Sequence, residues 1–565
     1  MKARITLVWL LITLFLAACS QTVQQPTPKP PPPHPVIEKE ESRVRSLEEK
    51  APASAPVTSD MAGAVVMQRM MAKKQISAYA SGIPGRLPSE PLDRERYAHF
   101  DDNPVKRATE TPVSTFSIDV DTGSYANLRR ILNEGRLPPT DAVRVEELIN
   151  YFTYDDQGPD NGNTPFHVTT EMGPNPWNSK THLLRIGIKA WESKQKDLPP
   201  ANLVFLLDVS GSMNSPDKLP LLKRSMRLLS RHLDKDDSVS IVVYAGASGM
   251  VLEPTPGNQA AKIEQALGQL QAGGSTNGGA GIRLAYLKAK EAFIKDGINR
   301  VILATDGDFN VGTVNHETLI DLIEEKRKEG IALTTLGFGT GNYNDQLMEQ
   351  LADHGNGNYG YIDTLMEAQK ILVDELGATL HTVAKDVKIQ IEFNPAQVSE
   401  YRLVGYENRV LAREDFNNDK VDAGEIGAGH SVTALYEVTL KGSGGDRIAP
   451  LRYGNETSKL TGFGSELAHL RLRYKKPDQE SSILIETPVS VGKIKSDLEK
   501  TTDDFRFTAA VAAFGQQLRG GKYLAEFSYP EIEKLAAEAR GKDAMGYRSD
   551  LLKLVRLAGG LSGQR

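Results

Sequence analysis

Between residues 202 and 381, short runs of β-branched and aliphatic residues alternate with segments of helical spacing. The runs 203–208, 239–244, 300–305, 332–338 and 359–362 have the length and make-up of buried strands. After the first, Leu222, Met226, Leu229 and Leu233 fall on one helical stripe, with Lys223, Arg224, Arg227 and Arg231 off it. Strand and helix in alternation predict an α/β fold with a parallel, doubly wound sheet, whose ligands sit outside the carboxyl ends of the strands. The chemistry is therefore expected in the loops after Leu207, near Gly274 and after Ala304.

The flanks have a different rhythm. Phe116, Ile118 and Val120 mark a strand, followed by one helix with Leu128, Ile131 and Leu132 and another with Val143, Val145, Leu148 and Ile149. Residues 166–170 and 183–188 read as strands. Beyond the α/β segment, 387–393 and 468–474 alternate with period 2 and, with 431–440 and 483–491, predict an antiparallel sheet. Strands on both sides imply one β framework into which the α/β domain is inserted. From Thr501 the pattern is helical: Phe505, Phe507, Val511, Phe514 and Leu518 share a face behind the cap residues Thr502, Asp503 and Asp504, and 528–540 and 547–557 supply two more helices.

The first residues are unlike the rest. Lys2 and Arg4 precede an apolar run, 5–18, that is shorter than the ~20 residues of a spanning helix and reads as a signal peptide. Seven of the ten residues 26–35 are proline, and a charged and then an Ala/Pro/Ser stretch follow, a composition suited to a semi-rigid spacer without a core. Met67, Met70 and Met71 have helical spacing, so 61–80 is either a short docked helix or disordered. The boundaries read as 1–18 leader, 19–111 Pro-rich tether, 112–200 an N-terminal α+β region, 201–381 the α/β domain, 382–495 a β-rich region and 496–565 a helical region.

With 565 residues, 39% hydrophobic and 25% charged, the chain has material for several cores and is no multispanning membrane protein. A net charge of −6 gives no footprint for nucleic acid. The single cysteine, Cys19, excludes an internal disulfide framework, cysteine zinc sites and a catalytic thiol further along. Leu16-Ala17-Ala18-Cys19 resembles the bacterial lipoprotein box, which implies cleavage before Cys19 and its acylation (palmitate among the acyl chains) as a membrane anchor. Ser20 after the cysteine resembles the sorting pattern for the outer membrane; a periplasm-facing position there is expected, though Ser20 does not itself fix the face.

Three loops carry the strongest motif. The first is Asp208-Val209-Ser210-Gly211-Ser212, the second Gly273-Gly274-Ser275-Thr276-Asn277, the third Thr305-Asp306-Gly307-Asp308. Two carboxylates and three hydroxyls on one rim make an all-oxygen donor set for a hard cation such as Mg²⁺. Only two negative charges would face the dication, so it stays electrophilic toward an outside carboxylate. These elements resemble the metal-ion-dependent adhesion site (MIDAS) of the von Willebrand factor A domain. The resemblance implies Asp208, Ser210, Ser212, Thr276 and Asp306 as metal ligands; Asp308 reads as a loop carboxylate. The whole arrangement, from lipoprotein leader to helical tail, resembles the YfbK-type family of bacterial lipoproteins, which implies architecture more than activity.

Other motifs are weaker. Asp121-Thr122-Gly123-Ser124 matches the aspartic peptidase motif, whose chemistry needs a second carboxylate sharing a proton. No second Asp-Thr-Gly or Asp-Ser-Gly occurs, and Asp121 or Ser124 reads instead as a helix cap. Asp415 to Asp419 starts like a calcium loop, but Lys420 and Ile426 stand where glycine and glutamate belong, so a solvated turn is expected. Gly337-Phe338-Gly339-Thr340-Gly341 reads as a strand-end turn rather than a nucleotide loop. The expected function is non-enzymatic: a lipid-anchored, metal-dependent binding module engaging a carboxylate of a protein partner. The alternatives are a scaffold lipoprotein with a metal-independent A domain and, last, an aspartic-type peptidase.

Overall fold

The computed structural model describes residues 94–159, 164–192, 198–307, 309, 316–452 and 463–563. The leader, Cys19, the proline-rich stretch, the 61–80 helix and Asp308 lie outside the described residues. In chain order, β1 (Lys106–Arg107), β2 (Val113–Ser117), α1 (Gly123–Asn133), α2 (Val145–Asn150), β3 (Phe166–Asn175) and β4 (Asn178–Ala190) come first. The α/β domain follows with β5 (Ala201–Asp208), α3 (Leu219–Ser230), β6 (Ser238–Tyr244), β7 (Ser248–Pro256), α4 (Ala260–Gln269), α5 (Gly278–Glu291) and β8 (Ile298–Thr305). It continues through α6 (His316–Lys328), β9 (Ala332–Phe338), α7 (Asp345–His354) and β10 (Tyr359–Ile362), and closes with α8 (Leu365–Gln369), a π turn and α9 (Leu376–Leu380).

Among the described residues this domain's sheet runs β10-β9-β8-β5-β6-β7, parallel except for β7. All eight positions of β5 are buried, because helices cover both faces of a parallel sheet. The five expected strands are present. β7 had no strand signature: Gly249, Pro254 and Pro256 interrupt it, which an edge strand tolerates because one side makes no ladder bonds.

After the domain come β11 (Thr382–Phe393), β12 (Val398–Val404), β13 (Gly424–Gly427), β14 (Ser431–Leu440), β15 (Glu466–Lys475) and β16 (Ile483–Ser490), then α10 (Asp503–Leu518), α11 (Tyr529–Glu538) and α12 (Tyr547–Leu561). The insertion is explicit in the pairing, with β2 beside β11 and β4 beside β14. The expectation of one antiparallel sheet is corrected to two: β1-β12-β14-β4-β3, and β13-β11-β15-β16 with β2 attached to β11. Each presents an apolar face that needs cover, and they cover each other, with Ile186, Val432 and Tyr436 sharing a core with Ile389, Ile391 and Leu470.

The helical tail is not separate either. Phe505, Phe514 and Leu551 pack with Tyr125 and Leu148 of α1 and α2 in one core. Thr502 caps α10 by accepting the Phe505 N–H at 3.1 Å, as expected. The tether is shorter than the 19–111 read from composition: Arg94 and Arg96 donate their N–H groups to the Gly341 and Tyr343 carbonyls, and β1 pairs with β12. These contacts are made by backbone, so a polar composition concealed them.

Candidate metal centre

Asp208 ends β5 fully buried, where the apolar run gives way to a turn. Its Oδ1 accepts the Ser210 N–H at 2.8 Å, and its Oδ2 accepts the Thr305 hydroxyl at 2.9 Å and the Tyr244 hydroxyl at 3.2 Å. Ser210 and Ser212 lie with hydroxyls 3.0 Å apart, Ser210 buried and Ser212 exposed, so the pair leads from the interior to solvent. The second loop is stitched to the first: the Gly273 N–H donates to the Val209 carbonyl at 2.8 Å and the Gly211 N–H to the Gly274 carbonyl at 3.0 Å. Gly274 has φ +85°, a conformation open to glycine, and the turn leads half-buried Thr276 into α5. Asp306, buried, follows β8 beside β5.

Burial pushes the Asp208 carboxyl up to about 6, against the pull of the Ser210 N–H, and the charge of Asp306 adds to the rise. Two buried carboxylates near each other, Asp208 with neutral hydroxyls for company, are an arrangement that gains from positive charge. The donor chemistry is all oxygen and fits a hard divalent ion. Sequence reasoning missed Lys218, whose buried ammonium donates to Asp306 Oδ2 at 2.8 Å and to Asn342 Oδ1 at 3.0 Å. Its one cue was a charged residue directly before the apolar start of α3.

The Asp121 motif lies in the packed seam between domain and framework. Asp121 is buried, its Oδ1 accepts the Tyr359 N–H of β10 at 2.8 Å, and Arg409 lies 3.6 Å from its Oδ2. Neither Asp121 nor Ser124 caps α1. Glu147 Oε2 accepts the Ser124 N–H at 2.7 Å instead, and the Ser124 hydroxyl donates to the Ala142 carbonyl. This seam between domain and framework is full of arginine. Arg144 joins Glu147 and, at 2.5 Å, Asp345; Arg129 joins Asp363 and Glu367; Arg409 joins Glu349 and Asp353.

The Asp415 loop is not the merely solvated turn that was expected. Lys388 places its ammonium on the Asp415 and Asn418 carbonyls, and Phe416 is fully buried under Arg471 and Arg473. A second acidic group, Asp386, Asp422 and Glu425, is gathered within 4.8 Å, with Lys475 on Asp386 and Arg327 on Asp422. The 337–341 segment is the expected turn, with Gly339 and Gly341 at positive φ.

A family model of the von Willebrand factor type A domain matches residues 202–374, one described as von Willebrand factor matches 91–185, and one described as uncharacterized protein YfbK, C-terminal, matches 378–561. The uncharacterized protein YfbK of Escherichia coli (strain K12) is 49% identical over 475 residues, 83% of this chain and 81% of its own. Inter-alpha-trypsin inhibitor heavy chain H3 of Homo sapiens is 24% identical over 267 residues, 43% of this chain and 29% of its own. Among solved structures, von Willebrand factor type A from Catenulispora acidiphila aligns over 72% of this chain and 91% of that chain, at 17% identity and a TM-score of 0.40. The doubly wound domain with Asp208 and Asp306 at its rim is thus a von Willebrand factor A domain, an interaction-type module, and the chain that carries it belongs to the YfbK family.

Proposed function

We propose that the protein is a lipid-anchored, metal-dependent binding module of the cell envelope, without enzymatic activity of its own. Asp208, Ser210, Ser212, Thr276 and Asp306 would hold Mg²⁺ or another hard divalent cation, and a carboxylate of a protein partner would complete the ion's shell. The observation that carries this reading is the juxtaposition of buried Asp208 and Asp306 beneath a hydroxyl pair that opens to solvent. A groove of about 540 Å³ beside the rim favours an acidic partner: apolar Met213, Leu219 and Leu270 form its walls with Lys223 and Arg227. Acylated Cys19 would anchor the chain to the outer membrane, facing the periplasm.

Calorimetric titration of Mg²⁺ into the full chain, purified in detergent, tests the site. Binding to the wild type and its loss in both Asp208→Ala and Asp306→Ala is the expected result; unchanged binding in both variants would end the reading. Partners crosslinked in cells should be lost on chelation with EDTA and regained with Mg²⁺, whereas a scaffold with a metal-independent domain would keep them. Fractionation of Cys19→Ser tests the anchor: it should leave the membrane fraction at high salt.

A further inference from the structure

Lys218 is a cation seated on one of the proposed ligands, and its seat is built for it. Its ammonium lies between Asp306 Oδ2 at 2.8 Å and Asn342 Oδ1 at 3.0 Å, and the residue is 6% exposed. The stem passes under Gly339, whose φ is +73°; a Cβ at that position would collide with Lys218 Cγ, Cδ and Cε. The loop that carries Asn342 is itself held from outside the domain: the Arg94 and Arg96 N–H groups donate to the Gly341 and Tyr343 carbonyls, each at 2.9 Å, and the Gly341 N–H donates to Glu95 Oε1 at 3.0 Å.

This arrangement has an electrostatic consequence. Asp208 and Asp306 bring two negative charges to a dication, and Lys218 cancels one of them before the dication arrives. An ammonium in contact with a ligand carboxylate, out of water, repels a second cation strongly, because screening there is poor. Nor can Lys218 leave at no cost, since its charge would lose both acceptors in a buried slot. We propose that Lys218 is a built-in counter-cation of the site, which lowers its affinity for divalent metal and makes tight metal uptake depend on the negative charge of the partner's carboxylate. The inference rests on the metal-binding reading above and deepens it. Metal alone is then held weakly, and metal together with an acidic ligand is held tightly, because the ligand restores the charge that Lys218 removes.

Lys218→Met removes the charge and keeps the volume of the stem; Lys218→Gln removes the charge and keeps a hydrogen-bond donor for Asp306. Mg²⁺ is titrated calorimetrically into the full chain in detergent, as wild type and as each variant, with thermal unfolding showing that each is folded. Both variants should bind Mg²⁺ at least about tenfold more tightly than the wild type, a factor worth 1.4 kcal/mol. Acetate at saturating concentration should tighten Mg²⁺ binding to the wild type more than to either variant. Equal or weaker affinity in Lys218→Gln, with the wild type binding measurably, would overturn the counter-cation while leaving the metal site intact. If Lys218→Met unfolds, the Gln variant and the acetate effect on the wild type decide the matter. Absence of Mg²⁺ and Mn²⁺ binding from the wild type and both folded variants would instead remove the metal reading and this inference with it.

Discussion

The A domain has two concentrations of carboxylates, neutralised by different means. Along the seam with the framework, Asp345, Glu349 and Glu367 are buried and meet the guanidinium groups of Arg144, Arg409 and Arg129. At the rim, Asp208 meets two hydroxyls and an amide, and Asp306 has the Lys218 ammonium among its partners. A guanidinium is planar, always charged and able to bond several acceptors at fixed angles, so it makes a permanent joint. Hydroxyls carry no charge and an ammonium is a point charge without a guanidinium's fixed fork, so these contacts hold the rim less rigidly. The same residue types thus serve as mortar in one place and, on the metal-binding reading proposed above, as an exchangeable site in the other.

The contrast is broken most severely at the seam. Arg144→Ala leaves Glu147 and Asp345 buried without their cation and should cost about 3–5 kcal/mol of stability, read from denaturant unfolding. A loss under about 1 kcal/mol would mean that the seam is not held by its ion pairs. The next effect is one of pH. His430 lies on the cavity between domain and framework, and burial, with the charges of Lys370, Lys189 and Arg300, lowers it to about 3. The unfolded chain takes up this proton below about 6.5 and the folded chain does not, so stability falls as pH drops. Between pH 7.5 and pH 5 the loss from His430 should be about 2 kcal/mol, and His430→Gln should flatten the profile by that amount.

A neutral contact sets the scale beneath these. Thr502→Ala removes the hydroxyl that accepts the Phe505 N–H and should cost about 1 kcal/mol. Smallest of all is the rim. Asp208→Asn removes a charge that burial already disfavours, while its amide can still accept from Ser210 and donate to the hydroxyls of Thr305 and Tyr244. Metal-free stability at pH 8 should change by less than about 1 kcal/mol, and Mg²⁺ uptake should vanish. A loss as large as that of Arg144→Ala would erase the distinction between mortar and site.

The rim was legible in the sequence because two apolar runs end at Asp208 and just before Asp306, and a parallel sheet sends both ends to one side. Ser210 and Ser212 follow at fixed spacing on the same loop. Lys218 was not legible, since a lysine at a helix start reads as solvated, and its burial depends on Gly339 and Asn342 far along the chain. The seam was hidden for the same reason. Arg144 and Asp345 have no local pattern that announces each other. Asp121 sat where a cap was expected, but its acceptor role is toward the backbone of β10, a contact only the tertiary fold creates.

The pairing of β2 with β11 and of β4 with β14 also dictates an order of events in folding. The A domain is built from neighbours in sequence and can condense as soon as its own residues are made. Its host cannot, because β2 and the β14-facing edge of β4 find partners only once the chain has passed the entire insertion. Through that interval the apolar faces of β3 and β4 stand uncovered, a template for wrong pairing. Early condensation of the A domain would shorten that wait by bringing the two flanking halves of the framework toward each other, so that the insert would act as a folding clamp for the framework around it.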